Sequence, residues 1–405
     1  IEKSAAALSV AVGSLQEPKE FGGLAHYLEH MLFLGTTSYP TVGDYSEFVS
    51  RNGGTQNAYT QLDHTNYMVA VNNDAFDEAL SRFSGFFYEA ILDETYADKE
   101  RNAVHSEWTM KSPNDWVILQ QLNGSTLNPK HPISQFNWGN LDSLVDKENN
   151  KLQTALVDMY NTYYSANLMK GAMISNLPID DMKKLAKRHF GKIPNKNTPR
   201  PTMTVAVAKP EHLKKVVHYI PQTDMKQLRI NFVIENNAQQ FAVKPNGYVN
   251  YLLANEMPGT LASALRDAGL SDAVYSNYDA DEYGNSGSFT LYIDLTETGV
   301  QNRDKVMGAV LKYLALLRKE GVNPRYFNEI KQSLSNSFRF KEKTNDYSYA
   351  MKIAADLQHT PAEYVLSSAY EYQRFNPEVI QAVLDQLTLD KARIFYIDKE
   401  QQGEL

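Results

Sequence analysis

Gly22-Gly23-Leu24-Ala25-His26-Tyr27-Leu28-Glu29-His30-Met31-Leu32-Phe33-Leu34-Gly35 is the stretch from which the rest of the chain is read. Apolar residues recur across it at intervals of three and four. That spacing predicts an amphipathic helix over 21–34, with Gly35 as its C-terminal cap. On such a helix His26 and His30 lie one above the other, so two imidazoles can reach a single tetrahedral metal ion. Glu29, three residues after His26, sets a carboxylate beside that ion without having to be a ligand, where it can take a proton from a metal-bound water.

The order H-x-x-E-H reverses the zincin pattern H-E-x-x-H and is the inverzincin form of that signature. With 9 His in 405 residues it arises by chance in about one such chain in a hundred. The plainer alternative is a helix with surface His and Glu in i,i+3 and i,i+4 contacts. Apolar, glycine-bounded flanks argue against it, because they place the helix in a core where unpaired His and Glu are costly. The chain contains no Cys, which excludes disulfides, thiolate zinc sites and cysteine nucleophiles, so a metal must be held by His, Asp or Glu. A catalytic zinc needs a third protein ligand, a carboxylate or another His. Glu107 is the choice, on a helix expected over 98–110. Glu100 lies two turns earlier and projects in nearly the same direction, so one carboxylate can bind the metal while the other orients a ligand His. The alternative is a pair of carboxylates on a solvated face. His105 points about 160° away from Glu107 around that helix. His64 falls in the turn Asp63-His64-Thr65-Asn66, and both histidines read as surface or hydrogen-bonded residues.

Working outward, 42% hydrophobic and 22% charged residues describe a globular chain, and 405 residues suggest two domains. A net charge of -8 with no basic stripe argues against a nucleic-acid partner. The longest apolar stretch, near 306–317, is broken by charge well short of the roughly 20 residues of a membrane span. The first residues lack an initiator Met and the layout of a signal peptide, so the native protein is expected to begin upstream. A strand is expected at 3–12 and a helix at 44–51, stopped by Asn52-Gly53-Gly54. Strands at 55–60 and 65–71 follow, joined by a polar turn, then helices at 74–91 and 98–110. Helix 152–164, strand 168–175 and helix 179–190 lead to a Pro-, Asn- and Lys-rich linker at 192–201. Beyond it the plan comes round again, with strands at 215–220 and 227–234, helices at 246–256 and 259–268, and strands at 273–278 and 288–295. Helices at 299–319, 324–340, 347–357 and 377–387 and a strand at 392–397 close the chain. The expectation is an α+β protein of two homologous domains, 1–194 and 195–405, each a mainly antiparallel sheet covered by helices.

The run from Gly23 to Thr36, with Tyr39-Pro40, Asn57-Ala58-Tyr59-Thr60 and His64-Thr65-Asn66-Tyr67, resembles the pitrilysin/insulysin family of zinc endopeptidases. The resemblance continues through Gly259-Thr260-Leu261 and Tyr292-Ile293-Asp294-Leu295-Thr296. It implies a fold of the processing-peptidase/LuxS-like metallohydrolase type and one Zn2+ per chain held by His26, His30 and Glu107, which stands 77 residues after His30. It further implies Glu100 as support for the metal ligands, Glu29 as general base, and Asn57 and Ala58 facing the scissile region of a peptide or small-protein substrate. Gly53–Thr60, rich in small residues, reads independently as an edge strand to which a peptide can add by main-chain hydrogen bonds. Members of the family carry four such domains in two halves, so the chain corresponds to the N-terminal half and the C-terminal half is missing. In relatives that half supplies an Arg and a Tyr that hold substrate, and no position here matches them. Tyr251-Leu252-Leu253-Ala254-Asn255-Glu256-Met257, at the place of the motif in the second repeat, has no His, so no zinc site is expected there. The competing expectation is an inactive or docking half that binds zinc or a partner polypeptide without cleaving alone. Absent Cys and likeness to bacterial members suggest the periplasm.

Overall fold

Lys3-Ser4-Ala5-Ala6-Ala7-Leu8-Ser9-Val10 is almost wholly apolar or small, and its setting in the computed structural model, which describes residues 2–399, gives the reason. This strand, β1 (Lys3–Val10), is an inner strand of an antiparallel sheet of order β2-β3-β1-β4, with β2 Thr55–Thr60, β3 Thr65–Asn72 and β4 Met169–Ile174. Ala6, Leu8 and Val10 enter the main core, whereas Ala5 and Ala7 pack on the other face with Met68, Ala70, Ala350 and Ala354. A strand covered on both faces needs apolar residues at successive positions. The second sheet has the order β5-β9-β6-β8-β7, with β5 Lys215–Tyr219, β6 Gln227–Glu235, β7 Ser271–Asp279, β8 Ser286–Leu295 and β9 Ala392–Ile397. Its pairs are antiparallel except β5 with β9.

The helices are α1 (Leu24–Leu32), α2 (Asp44–Arg51), α3 (Phe76–Gly85), α4 (Ala97–Lys111), α5 (Asp115–Ser125), α6 (Leu152–Tyr163), α7 (Ile179–His189), α8 (Pro245–Leu253), α9 (Leu261–Asp267), α10 (Glu297–Gln301), α11 (Arg303–Glu320), α12 (Pro324–Arg339), α13 (Asp346–Asp356) and α14 (Pro377–Gln386). The fold is the expected mixture of helices and mainly antiparallel sheets. None of the helices among the described residues is long and apolar enough to cross a membrane.

Two compact units result. The first comprises the chain up to Ser112, 135–201 and 342–366; the second comprises 113–134, 202–341 and the chain from Ser367 onward. The 192–201 linker ends a segment of the first unit, but a single cut after Pro194 needs amending twice. Residues 342–366 join the first unit because small Ala350 and Ala354 let α13 lie close on β1 and β3. Residues 113–134 join the second because Asp115, at the start of α5, accepts hydrogen bonds from Tyr219 Oη, the Gln222 and Thr223 backbone N–H groups and Thr223 Oγ1.

At two places where element ends differ from expectation, a side-chain hydrogen bond takes a backbone carbonyl. The helix expected over 74–91 ends at Gly85, and Tyr160 Oη donates to the Phe86 carbonyl at 2.9 Å. The single helix expected over 299–319 divides at Asn302, whose side-chain amide takes the Thr298 carbonyl. Helix α5 lies outside the expected elements: Asn114 caps it through the Trp116 N–H, but its apolar residues make no clear stripe.

Candidate metal centre

Helix α1 starts three residues later than expected because Gly23 adopts φ +90°, a left-handed conformation outside the helix. Glu17 supplies what the first turn lacks: its carboxylate accepts the Gly23 N–H at 2.8 Å and the Ala25 N–H at 2.9 Å. Leu24, Tyr27, Leu28, Met31 and Leu32 are buried, which fixes the helix's rotation and groups His26, Glu29 and His30 on the remaining side. The segment 136–139 crosses the helix start at backbone contact. A Cβ on Gly22 would lie 2.0 Å from the Phe136 carbonyl oxygen, and one on Gly23 would lie 2.1 Å from Gly139 Cα. Trp108, next to Glu107 on α4, packs against Phe136 and Trp138 with ring centroids 5.0 and 6.1 Å apart. The Trp138 carbonyl thereby comes within 2.9 Å of His26 Nδ1.

A carbonyl can only accept, so His26 Nδ1 carries the proton and Nε2 is the atom turned inward, 3.3 Å from Glu107 Oε2. His30 presents Nε2 to Glu107 Oε1 at 3.5 Å, with Nδ1 3.5 Å from Glu100 Oε2 behind it. Two imidazole nitrogens thus converge on one carboxylate. One ligand atom from each of His26, His30 and Glu107 lies within 4.8 Å of the other two. An ionised carboxylate has no proton to give, so this arrangement is favourable only with positive charge between the groups. A proton can fill that role. Burial works against a charged His26, yet the Glu107 hydrogen bond, Glu29 and the Trp138 carbonyl outweigh it and push its pKa up to about 9. The His26 hydrogen bond in turn holds Glu107 below its ordinary value. A divalent ion suited to imidazole and carboxylate would fill the same role, and the donor set of two neutral nitrogens and one oxygen is that of a catalytic zinc site.

Glu29 is 7% exposed, and Thr60 Oγ1 donates to its Oε2 at 2.6 Å. Burial raises its pKa, while His26, Thr60 and His30 pull the other way. The expected cluster of His26, Glu29, His30, Glu100 and Glu107 is therefore brought together. Asn57 and Ala58 sit on β2, opposite Met68 and Tyr67; Asn57 is exposed and Ala58 turns into the core. No further strand pairs with the outer edge of β2 among the described residues. His64 and Asp63 are hydrogen-bonded at 2.8 Å. Three contributors escaped the sequence reading: Glu17, Thr60 and the Trp138 carbonyl. Thr60 stands in the Asn57–Thr60 run, and only its position across from Glu29 reveals its part. A backbone carbonyl leaves no trace in residue identity, although Gly22-Gly23 and Gly139 are marks of the close approach that delivers it.

Three models of one family account in turn for residues 1–130 (insulinase, peptidase family M16), 153–334 (peptidase M16 inactive domain) and 338–405 (middle or third domain of peptidase M16). Protease 3 of Escherichia coli (strain K12) is 38% identical over 399 residues, 98% of this chain and 42% of that protein. Insulin-degrading enzyme of Bos taurus is 36% identical over 406 residues, 100% of this chain and 40% of that protein. The crystal structure of pitrilysin matches with a TM-score of 0.97 at 38% identity, covering 100% of this chain and 43% of that one. The chain thus spans about two fifths of the length of the relatives it matches. The reversed motif on α1, the α+β architecture and these similarities together place the chain in the insulinase/pitrilysin family of peptidases.

Proposed function

We propose that this chain carries the catalytic centre of a zinc-dependent endopeptidase acting on oligopeptides and small proteins, with His26, His30 and Glu107 as ligands and Glu29 as general base. The observation that carries the reading is the convergence of His26 Nε2 and His30 Nε2 on Glu107, with buried Glu29 beside them. A bound zinc ion supplies Lewis-acid polarisation of a carbonyl and lowers the pKa of a water toward neutrality. The protein's own groups do the rest. The Trp138 carbonyl and Glu100 orient the two imidazoles from behind. Thr60 holds Glu29 Oε2, which leaves Oε1 to take a proton from the attacking water and pass it to the leaving amine. Burial raises the Glu29 pKa toward the range in which a carboxylate exchanges protons efficiently. A substrate segment adds to the open edge of β2 near Asn57 and Ala58 by main-chain hydrogen bonds.

The full activity rests on the further chain that the relatives possess, so this chain alone binds zinc but cleaves weakly or not at all. Glu29→Gln in the full-length protein retains zinc by elemental analysis and loses about 100-fold or more in turnover of a quenched peptide. Ordinary hydrolysis by that variant would remove Glu29 from its role. The docking reading draws on the match of 153–334 to an inactive domain. Zinc bound with no cleavage, both alone and with the remaining half added, would favour it. The likeness to a bacterial protease and the absence of Cys support a periplasmic setting, which fractionation of cells expressing the full-length protein tests.

A further inference from the structure

The turn joining β2 to β3 carries a second group of imidazoles and a carboxylate that the proposed reaction does not use. Asp63 Oδ1 lies 2.8 Å from His64 Nδ1, and Asp63 Oδ2 lies 2.9 Å from His359 Nε2. One ligand atom from each of the three residues lies within 4.8 Å of the other two. The histidines come from segments about 300 residues apart in sequence, both within the first unit. Each segment is firmly placed. The hairpin turn is closed by the Gln61 N–H on the His64 carbonyl at 2.8 Å. Beside His359, buried Gln358 donates to the Ser9 carbonyl at 2.9 Å and accepts from Arg200 at 3.0 Å.

Two features separate this group from an ordinary surface ion pair. Its side chains are 36%, 13% and 32% exposed for Asp63, His64 and His359, so the cluster is sheltered yet has an open side. His64 Nε2 is buried without a hydrogen-bond partner, so that ring is not fully satisfied by the protein.

We propose that Asp63, His64 and His359 form a second divalent transition-metal site, separate from the His26–His30–Glu107 centre, that takes Zn2+ and completes its coordination with water on the open side. Two imidazole nitrogens and one carboxylate suit Zn2+ or Co2+ and not the oxygen-seeking Ca2+ or Mg2+. Ligand atoms around a tetrahedral zinc stand roughly 3.3 Å apart, as bonds of about 2.0–2.2 Å require. The 2.8 and 2.9 Å contacts therefore open slightly while the wider separation closes by small side-chain rotations. The ion would tie the β2–β3 turn to the segment after α13.

The test strips the native chain with a chelator, dialyses it against Zn2+ alone and counts bound metal by elemental analysis. Two equivalents are expected for the native chain, one for His359→Gln, one for the His26→Ala/His30→Ala double variant, and none when these changes are combined. Asp63→Ala serves as a second probe, with circular dichroism to establish that each variant folds. Anomalous scattering at the zinc edge from native crystals locates both ions directly. One equivalent in the native chain with no anomalous peak at His359, or two equivalents that survive both His359→Gln and Asp63→Ala in folded protein, would overturn the proposal. Because the double variant removes the His26–His30 centre, failure here is distinguishable from failure of the peptidase reading.

Discussion

Gly23→Ala probes the device that orients His26, and Gly43→Ala is its internal control. Both glycines precede a helix with nearly the same left-handed backbone, φ +90° and +88°. A side chain at either position meets conformational strain of about 1–2 kcal/mol. The surroundings differ. A Cβ at Gly43 has nothing within 4 Å, whereas one at Gly23 lies 2.1 Å from Gly139 Cα and 2.2 Å from Gly139 N. Those are backbone atoms, so the 136–139 segment must move, which adds about 1–3 kcal/mol of overpacking. Gly23→Ala should therefore lose about 2–5 kcal/mol in all, against about 1–2 for Gly43→Ala. At about 2–4 °C per kcal/mol for a domain of this size, the melting temperatures separate clearly. Moving the segment also takes the Trp138 carbonyl from His26 Nδ1, and loss of such a partner lowers metal affinity about 10–100-fold. Thermal melts by circular dichroism and zinc competition against a chelator read the two effects. Equal destabilisation of the two variants, or native zinc affinity in Gly23→Ala, would refute the reasoning.

Glu100→Gln replaces an anion 3.5 Å from His30 Nδ1 with a neutral amide, and zinc affinity should fall about 10–100-fold with little change in the melt; an unchanged affinity would show that Glu100 does not support the ligand. Thr60→Val takes a hydrogen bond from ionised Glu29, so the Glu29 pKa rises and the acid limb of the full-length enzyme's kcat/KM profile moves up by about one pH unit. A limb that stays in place would count against Thr60 as a positioning residue. Asp115→Ala strands four donors in the second unit and should cost about 2–4 kcal/mol by urea denaturation at pH 7. Burial would raise this carboxyl, but its hydrogen bonds lower it from 3.8 to about 2. Its contribution is thus fully present above about pH 4 and lost as the pH falls toward 2. The gap between native and variant should narrow over that window, and a constant gap would contradict the assignment.

What could be read from residues alone divides along a physical line. Helix α2 and strands β2 and β9 match their expected bounds because their patterns and stop signals are local, such as Asn52-Gly53-Gly54 after Arg51. His26, Glu29 and His30 were legible for the same reason: helical spacing alone sets them on one side of α1. Glu100 and Glu107 were legible through their two-turn spacing, although only folding shows that both lie against His30. The misreadings arise where a distant group wins a local contest, as when Tyr160 takes the Phe86 carbonyl and α3 ends early. The same holds for Ala350 and Ala354, whose small size is uninformative until α13 is seen against β1 and β3. The Trp138 carbonyl is the limiting case. Its chemistry belongs to the main chain, so any residue at 138 supplies the same oxygen, and the identity that matters lies in the glycines that let it approach. If this is right, Trp138→Phe should leave zinc affinity near native while Gly23→Ala lowers it. A larger loss in Trp138→Phe would mean that the indole, packed on Trp108, and not the carbonyl, governs the orientation of His26.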